Sequence, residues 1–388
     1  MLAAVKVLRN IRLVTPGEDV RVVSLLLDGD RISAILAPDD QPGNAEILFD
    51  GAGEILAFPG FIDIHTHGAN GVDLAMAQSG DDVAIIARAK LAEGVTTFLP
   101  TTWTASPGHK RKMAEVAAAY RTQEAHARAP FLHVEGPYLN PDQAGAQDPA
   151  YMRDPDIAEI EALHRICPVG IVSLAPELDG ALEMIRALRK LGIVASAAHS
   201  AATFADVRAS REAGLTHLTH YCNQMSRLHH REVGLVGAAL LDDEVMIEII
   251  CDTIHLCPEM IALAFKHRRP EQLMLITDSI AASHLGDGTY PLGDTAITVK
   301  NGAARIPAGN LAGSIVQFHE AVGHVARITS LPLPDLARCA SSNQARSLGL
   351  TDRGTLEPGK LADVALLDPA FGVAATVVGG EVRYRRDD

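Results

Sequence analysis

The stretch AFPGFIDIHTHG at 57–68, followed by DVAIIARAKLAEG at 82–94, decides the fold. A brief apolar run ends in two histidines and gives way to an Ala-rich helical segment, which makes one strand-then-helix unit. The same grammar repeats along the chain. TTFLPTT (96–102) precedes HKRKMAEVAAAYRTQEAHA (109–127), FLHVEG (131–136) precedes a long loop, and GIVSLAPE (170–177) precedes ALEMIRALRKLG (181–192). IVASAAHS (193–200) is followed by TFADVRASREAG (203–214), then come LTHLTHY (215–221), VMIEIICD (245–252) with CPEMIALAFKH (257–267), and LMLITDS (273–279). Strand followed by helix each time implies a parallel sheet. Some eight such strands favour a closed (β/α)8 barrel over an open sheet. An open doubly wound sheet would announce a nucleotide site through GxGxxG, and no such fingerprint opens the first unit.

Both ends of the chain have a different texture. AVKVLRNIRLV (4–14) and VVSLLLDGDRISAIL (22–36) are apolar segments joined by turn-rich sequence, and Asp28-Gly29 is a hairpin signal. GTLEPGKLADVALLD (354–368) and VAATVVGGEVRYRRD (373–387) are again short strands broken by Pro and Gly. Neither end alone has much apolar surface, so the expectation is one small β-sandwich split by the barrel. Residues 1–55 and 350–388 would form the sandwich and 56–349 the catalytic barrel.

A chain of 388 residues, 47% hydrophobic and 21% charged, has ample material for such a core. The formal charge of -14 argues against nucleic acid as the main partner, since no global basic field would hold a phosphate backbone. Cys167, Cys222, Cys251, Cys257 and Cys339 form no CxxC pair, which disfavours a disulfide framework or a thiolate metal site. Lys6, Arg9 and Arg12 interrupt the apolar N-terminus, and no run approaches the roughly 18–20 apolar residues of a membrane span. A cytoplasmic protein without a membrane partner is the expectation.

A barrel predicts its reactive residues at the carboxyl ends of several strands. His65 and His67 end the first, and their i, i+2 spacing puts both imidazoles on one face of an extended segment. Glu135, His199, His220 and Asp278 end four others. A lone strand-end His is usually structural and a lone Asp often a helix cap, but six such residues in one register point to a metal site. Imidazole and carboxylate without thiolate suit Zn²⁺ or a comparable ion. Glu135, His199 and His220 make a His₂Glu set, His65 and His67 a second site, so one or two ions are expected. Metal-assisted hydrolysis follows, with Asp278 as proton carrier. His133 and His217 are secondary candidates beside these, and His284 and Asp287 fall in a loop suited to an entrance.

PGFIDIHTHG (59–68), HVEGPYLNP (133–141), AHS (198–200), THYCNQM (219–225), HHREVGLVGAAL (229–240), TDS (277–279) and LAGS (311–314) together resemble the N-acetylglucosamine-6-phosphate deacetylase family of the amidohydrolase superfamily. The resemblance spans nearly the whole chain. It implies a metal-dependent amidohydrolase barrel carrying a β-sandwich built from both chain ends, with Glu135, His199 and His220 as primary metal ligands. It further implies His65 and His67 as the second-metal pair and Asp278 as general base and acid. On the substrate side it implies Asn223 and Arg231 as phosphate ligands, the Arg often supplied by the partner subunit of a homodimer, and His255 as a sugar contact. Gln147 would donate to the acyl carbonyl, and LAGS, with Leu311, would lie near the substrate. Gln224, Val233 and Thr253 depart from the family pattern, and Gln224 is bulky enough to narrow or redirect the phosphate pocket.

Read for charge alone, RLHHR at 227–231 is the compact basic cluster of an acidic chain, where an Arg fork would suit phosphate. The reaction expected is hydrolysis of N-acetylglucosamine 6-phosphate to glucosamine 6-phosphate and acetate. Alternatives are a deacetylase of another sugar, such as N-acetylgalactosamine 6-phosphate or an unphosphorylated one, and a noncatalytic metal-dependent binding protein.

Overall fold

A computed structural model describes residues 5–38, 40, 43–123, 125–292 and 295–387. All eight expected strands form: Phe61–Thr66, Val95–Thr102, Leu132–Glu135, Val169–Leu174, Val194–Ala197, His217–Leu218, Met246–Ile250 and Leu273–Ile276. They pair in parallel in sequence order and are numbered here as barrel strands 1 to 8. The eighth returns to the first, with Asp278 N donating to His65 O at 3.0 Å and His67 N to Ser279 O at 2.9 Å.

The intervening helices follow from residue spacing and caps. In Ala181–Leu191, Ala181, Met184, Ile185 and Leu188 fall at i, i+3, i+4 and i+7 and are buried, and Gly192 ends the helix at φ 71°. Phe204–Ala213 begins at Thr203, whose hydroxyl accepts from Asp206 N while the Asp206 carboxylate accepts from Thr203 N. Strand alternation splits the apolar residues between two cores. Ile62, Ile64, Leu99, Ile171, Ile250, Met274 and Ile276 form one cluster inside the barrel. Phe61, Phe98, Val172, Ile247, Ile249 and Leu275 belong to the larger core that includes the helices.

The two chain ends share one eight-stranded sheet, ordered Glu381–Arg385, Val373–Val378, Val364–Leu367, Leu56–Pro59, Lys6–Leu13, Arg21–Asp28 and Arg31–Leu36, with Glu46–Asp50 also on Lys6–Leu13. The Asp28-Gly29 hairpin forms. The far edge curls back, since Ile32 N donates to Lys360 O and Gly359 N to Ile32 O. This encloses Leu8, Ile11, Leu13, Leu25, Leu27, Val364, Leu366 and Val377. Leu56–Pro59, counted with the barrel on sequence, pairs in this sheet, and strand 1 begins after Gly60. A three-stranded antiparallel ribbon, Gly288–Leu292, Thr295–Lys300 and Ala303–Arg305, follows strand 8 and was not expected.

Beneath the closure lies a fully buried ammonium. Lys90 Nζ reaches Asp63 Oδ2 at 3.0 Å, Glu93 Oε2 at 3.2 Å and Thr277 Oγ1 at 3.1 Å. Thr277 Oγ1 also donates to Asp63 Oδ2, at 2.6 Å. Burial opposes ionisation of Glu93, yet Lys90 and His284 hold its pKa down at about 2. Asp63 lies two residues before His65 and Thr277 one before Asp278, so this network ties strand 1 to strand 8 just below both. Lys90→Met would leave two buried carboxylates without their cation and should cost about 3–5 kcal/mol in urea unfolding. A variant within about 1 kcal/mol of the parent would show the ammonium to be dispensable.

Candidate active site

The six residues expected at strand ends converge. His65 lies on strand 1 with His67 just beyond it, Glu135 ends strand 3, and His199, His220 and Asp278 lie two residues past strands 5, 6 and 8. The last three adopt φ of 43°, 36° and 51°. Left-handed backbone costs about 1–3 kcal/mol at a non-glycine residue, so each turn is held by its surroundings. For Asp278 the brace is the LAGS segment. Ser314 N donates to Asp278 O at 2.7 Å, and a Cβ on Gly313 would meet that same oxygen at 2.7 Å, so only glycine lets the segment approach.

Two ligand sets result: His65, His67 and Asp278, and Glu135, His199 and His220, each with donor atoms within 4.8 Å of one another. Glu135 stands between them. Its Oε1 is 3.0 Å from His220 Nε2 and 3.4 Å from His199 Nε2, and its Oε2 is 3.2 Å from His67 Nε2. Asp278 Oδ1 lies 3.4 Å from Nε2 of both His65 and His67. Two of the imidazoles are aimed by their other nitrogen, His67 Nδ1 being 3.2 Å from Thr101 O and His199 Nδ1 2.8 Å from Gln143 O. Donation from Nδ1 leaves the Nε2 lone pair facing inward, the arrangement a metal-binding histidine needs. The donor set therefore fits a divalent ion.

Burial opposes charge on His65, but the Asp278 and Glu135 carboxylates outweigh it and hold its pKa well above the ordinary imidazole value. His67 is pushed up to about 9 against burial by the same two carboxylates. Burial likewise opposes ionisation of Glu135 and Asp278, yet the facing imidazoles lower both, Glu135 to well below the usual carboxylate range.

A cavity of about 280 Å³ opens over these sets and is lined by His67, Glu135, His199, His220 and Asp278, and by the expected Gln147, Asn223, Gln224, His255 and Leu311. Their hydrogen bonds refine the expected roles. Gln147 Nε2 donates to Glu135 Oε2 at 2.5 Å and its Oε1 accepts from Thr104 N at 2.7 Å, so this side chain holds Glu135 with one amide hydrogen and keeps a second. Asn223 Nδ2 turns to the backbone oxygens of His220 and Tyr221. His255 Nδ1 is 2.6 Å from Asp252 Oδ2, which leaves Nε2 for the cavity. Gln224 packs on Gly145, where even a Cβ would come within 2.8 Å of its Cγ.

Arg231 is not in this cavity. It lies exposed on the 227–231 loop, its guanidinium 2.8 Å from His230 Nε2. Among the described residues the only Arg or Lys lining the cavity is Arg305, on the unexpected ribbon, with Asn310 beside it. His133 and His217 are not ligands. His133 places one nitrogen 2.8 Å from Ile64 O and the other 2.7 Å from Ser173 Oγ, and His217 lies between Thr216 and Ser347. His284 turns inward to Glu93, and Asp287 accepts from Asn301 N, so neither lines the cavity. The sequence reading also passed over Trp103, which stacks on His67 at 3.9 Å between ring centroids and whose Nε1 bonds Asp73. Its only signal was being the single tryptophan, just past strand 2.

The amidohydrolase family matches residues 56–383. The N-acetylglucosamine-6-phosphate deacetylase of Bacillus subtilis (strain 168) is 34% identical over 385 residues, 97% of this chain and 96% of its own. The N-acetylgalactosamine-6-phosphate deacetylase of Escherichia coli O157:H7 is 36% identical over 332 residues, 84% of this chain and 87% of its own. A mutant N-acetyl-D-glucosamine-6-phosphate deacetylase from Mycobacterium smegmatis, solved in complex with N-acetyl-D-glucosamine-6-phosphate, superposes with a TM-score of 0.89. Its identity is 32%, covering 98% of this chain and all of that one.

Because His65 and His67 carry protons at neutral pH, a cation entering their cluster must displace them. Its apparent affinity should rise with pH toward 9, by up to about tenfold per pH unit for each proton lost. Chelator-competition titration of Zn²⁺ between about pH 6.5 and 8.5 measures this, and a flat profile would refute it.

Proposed function

This chain belongs to the amidohydrolase family, and within it to the N-acetylglucosamine-6-phosphate deacetylases; we propose accordingly that it hydrolyses N-acetylglucosamine 6-phosphate to glucosamine 6-phosphate and acetate. One observation carries the reading: two buried His and carboxylate sets meet at Glu135, in a cavity that Arg305 also lines. Zn²⁺ is the ion the donor set suits best, with one or two per chain. When bound, such an ion polarises an acyl carbonyl and activates water near neutral pH.

The protein's own residues supply the rest. Asp278 is ionised, buried and at the cavity floor, so it can accept a proton from the attacking water and pass it to the departing nitrogen. Gln147 fixes Glu135, and Trp103 walls His67. His255, oriented by Asp252, faces the sugar. Arg305 and Asn310 take the phosphate, an anion for which the guanidinium fork is well shaped, and remote binding of that phosphate orients the acetamide over Asp278. A homodimer would give Arg231 a role at a neighbouring copy's cavity. No helix among the described residues is long and apolar enough to cross a membrane, and a cytoplasmic place of action belongs to the same reading.

Asp278→Asn should keep the ion held by Glu135, His199 and His220 and lose turnover, by at least about a hundredfold for a general acid and base. Retention of most activity would remove it from the proton path. The E. coli relative raises the sugar epimer as a second reading. Acetate release from N-acetylglucosamine 6-phosphate, N-acetylgalactosamine 6-phosphate and unphosphorylated N-acetylglucosamine decides it. The first should have the highest kcat/KM, and Arg305→Ala should raise KM for the phosphorylated sugar about 10–100-fold, the worth of a charge-assisted contact. Equal efficiency on the free sugar would sink the phosphate assignment.

A further inference from the structure

Glu248 is a buried acid that the reaction does not use. It sits mid-way along strand 7 (Met246–Ile250) and is fully buried. Alternation puts it on the same face as Ile250, whose cluster with Ile62, Ile64, Met274 and Ile276 fills the barrel interior. Neither carboxylate oxygen has a hydrogen-bond partner. An unsatisfied buried polar group costs roughly 1–3 kcal/mol and a charged one more, so an apolar residue here would be the stable choice.

The nearest basic group is His65 Nδ1, 3.6 Å from Glu248 Oε2, and that nitrogen is also buried without a hydrogen-bond partner. At 3.6 Å the two are in line of approach but not bonded. The contrast with the neighbouring imidazoles is informative. His67 and His199 each set Nδ1 against a backbone carbonyl, whereas His65 has only a carboxylate to turn to. A histidine that gives Nε2 to a cation keeps its proton on Nδ1, and a carboxylate facing Nδ1 both selects that tautomer and makes the ring a stronger donor.

We propose that Glu248 is the positioning residue of the second cation site, receiving the Nδ1 proton of His65 so that the His65, His67 and Asp278 cluster holds an ion. Among the described residues His65 is the only histidine with a ring nitrogen within 4.0 Å of a Glu248 oxygen, so the effect of Glu248 should fall first on the cluster that holds His65. This inference rests on reading the clusters as cation sites but not on the identity of the sugar.

The test is Zn²⁺ binding to the metal-stripped full chain, by elemental analysis and chelator competition, for the parent, Glu248→Gln and Glu248→Met. Gln keeps the acceptor and removes the charge, while Met removes both at similar volume in an interior that already holds Met274. Circular dichroism checks that each is folded. The parent should bind two ions. Glu248→Gln should weaken one of them about tenfold and Glu248→Met about a hundredfold, the range for loss of an outer partner of a ligating histidine, with the other ion held as tightly as before. Unchanged affinity for both ions in folded variants would overturn the proposal, as would equal loss of both. A parent that binds one ion only would overturn it too, while leaving the single-ion hydrolase reading intact.

Discussion

Everything at the site depends on the closure of strand 8 against strand 1. His65 and Asp278 are far apart in sequence, yet the amide of one bonds the carbonyl of the other. That closure is pinned from below by Lys90, whose buried ammonium gathers Asp63, Glu93 and Thr277. A buried ion pair adds little net stability compared with well-packed apolar groups. What this one supplies is register, because Asp63 and Thr277 stand next to the site residues on two different strands. From above, Gly313 and Ser314 press on the carbonyl of Asp278. The Asp278 carboxylate is thus held by its backbone on both sides.

Charge follows the same logic of local compensation. The chain is acidic overall, and its site is built around Glu135, Asp278 and Glu248, all buried. Inside the barrel the imidazoles are the groups able to answer that charge, through protons when the cluster is empty and through a shared cation when it is filled. For a cation entering the cluster, proton and metal would compete for the same histidines.

The fold was legible because each strand of the barrel is an apolar run with a helix after it, and because the six ligand candidates recur at one end of those runs. The chain-end sheet was legible for a complementary reason: neither end alone has enough apolar residues to close a core. What stayed hidden lay in short-range irregular structure. The ribbon that carries Arg305 ends in a strand of three residues, too short for any period to register. Arg305 consequently went unnoticed, while the conspicuous cluster at 227–231 drew attention to Arg231, a residue outside the cavity of its own chain. His133, a secondary candidate two residues before Glu135 and on the same strand face, has both ring nitrogens taken, by Ile64 O and Ser173 Oγ. Glu248 had a signal, a lone acid inside the apolar run VMIEIIC, that a reading for apolar runs passes over.

The stacking of Trp103 on His67 has an optical consequence. This is the molecule's single tryptophan, set against one of the candidate metal ligands at the cavity wall. An imidazolium in contact with an indole quenches its emission, and a neutral imidazole held by a cation does so far less. The protein thus carries one indole fluorophore, placed where its intensity would follow the charge state of His67.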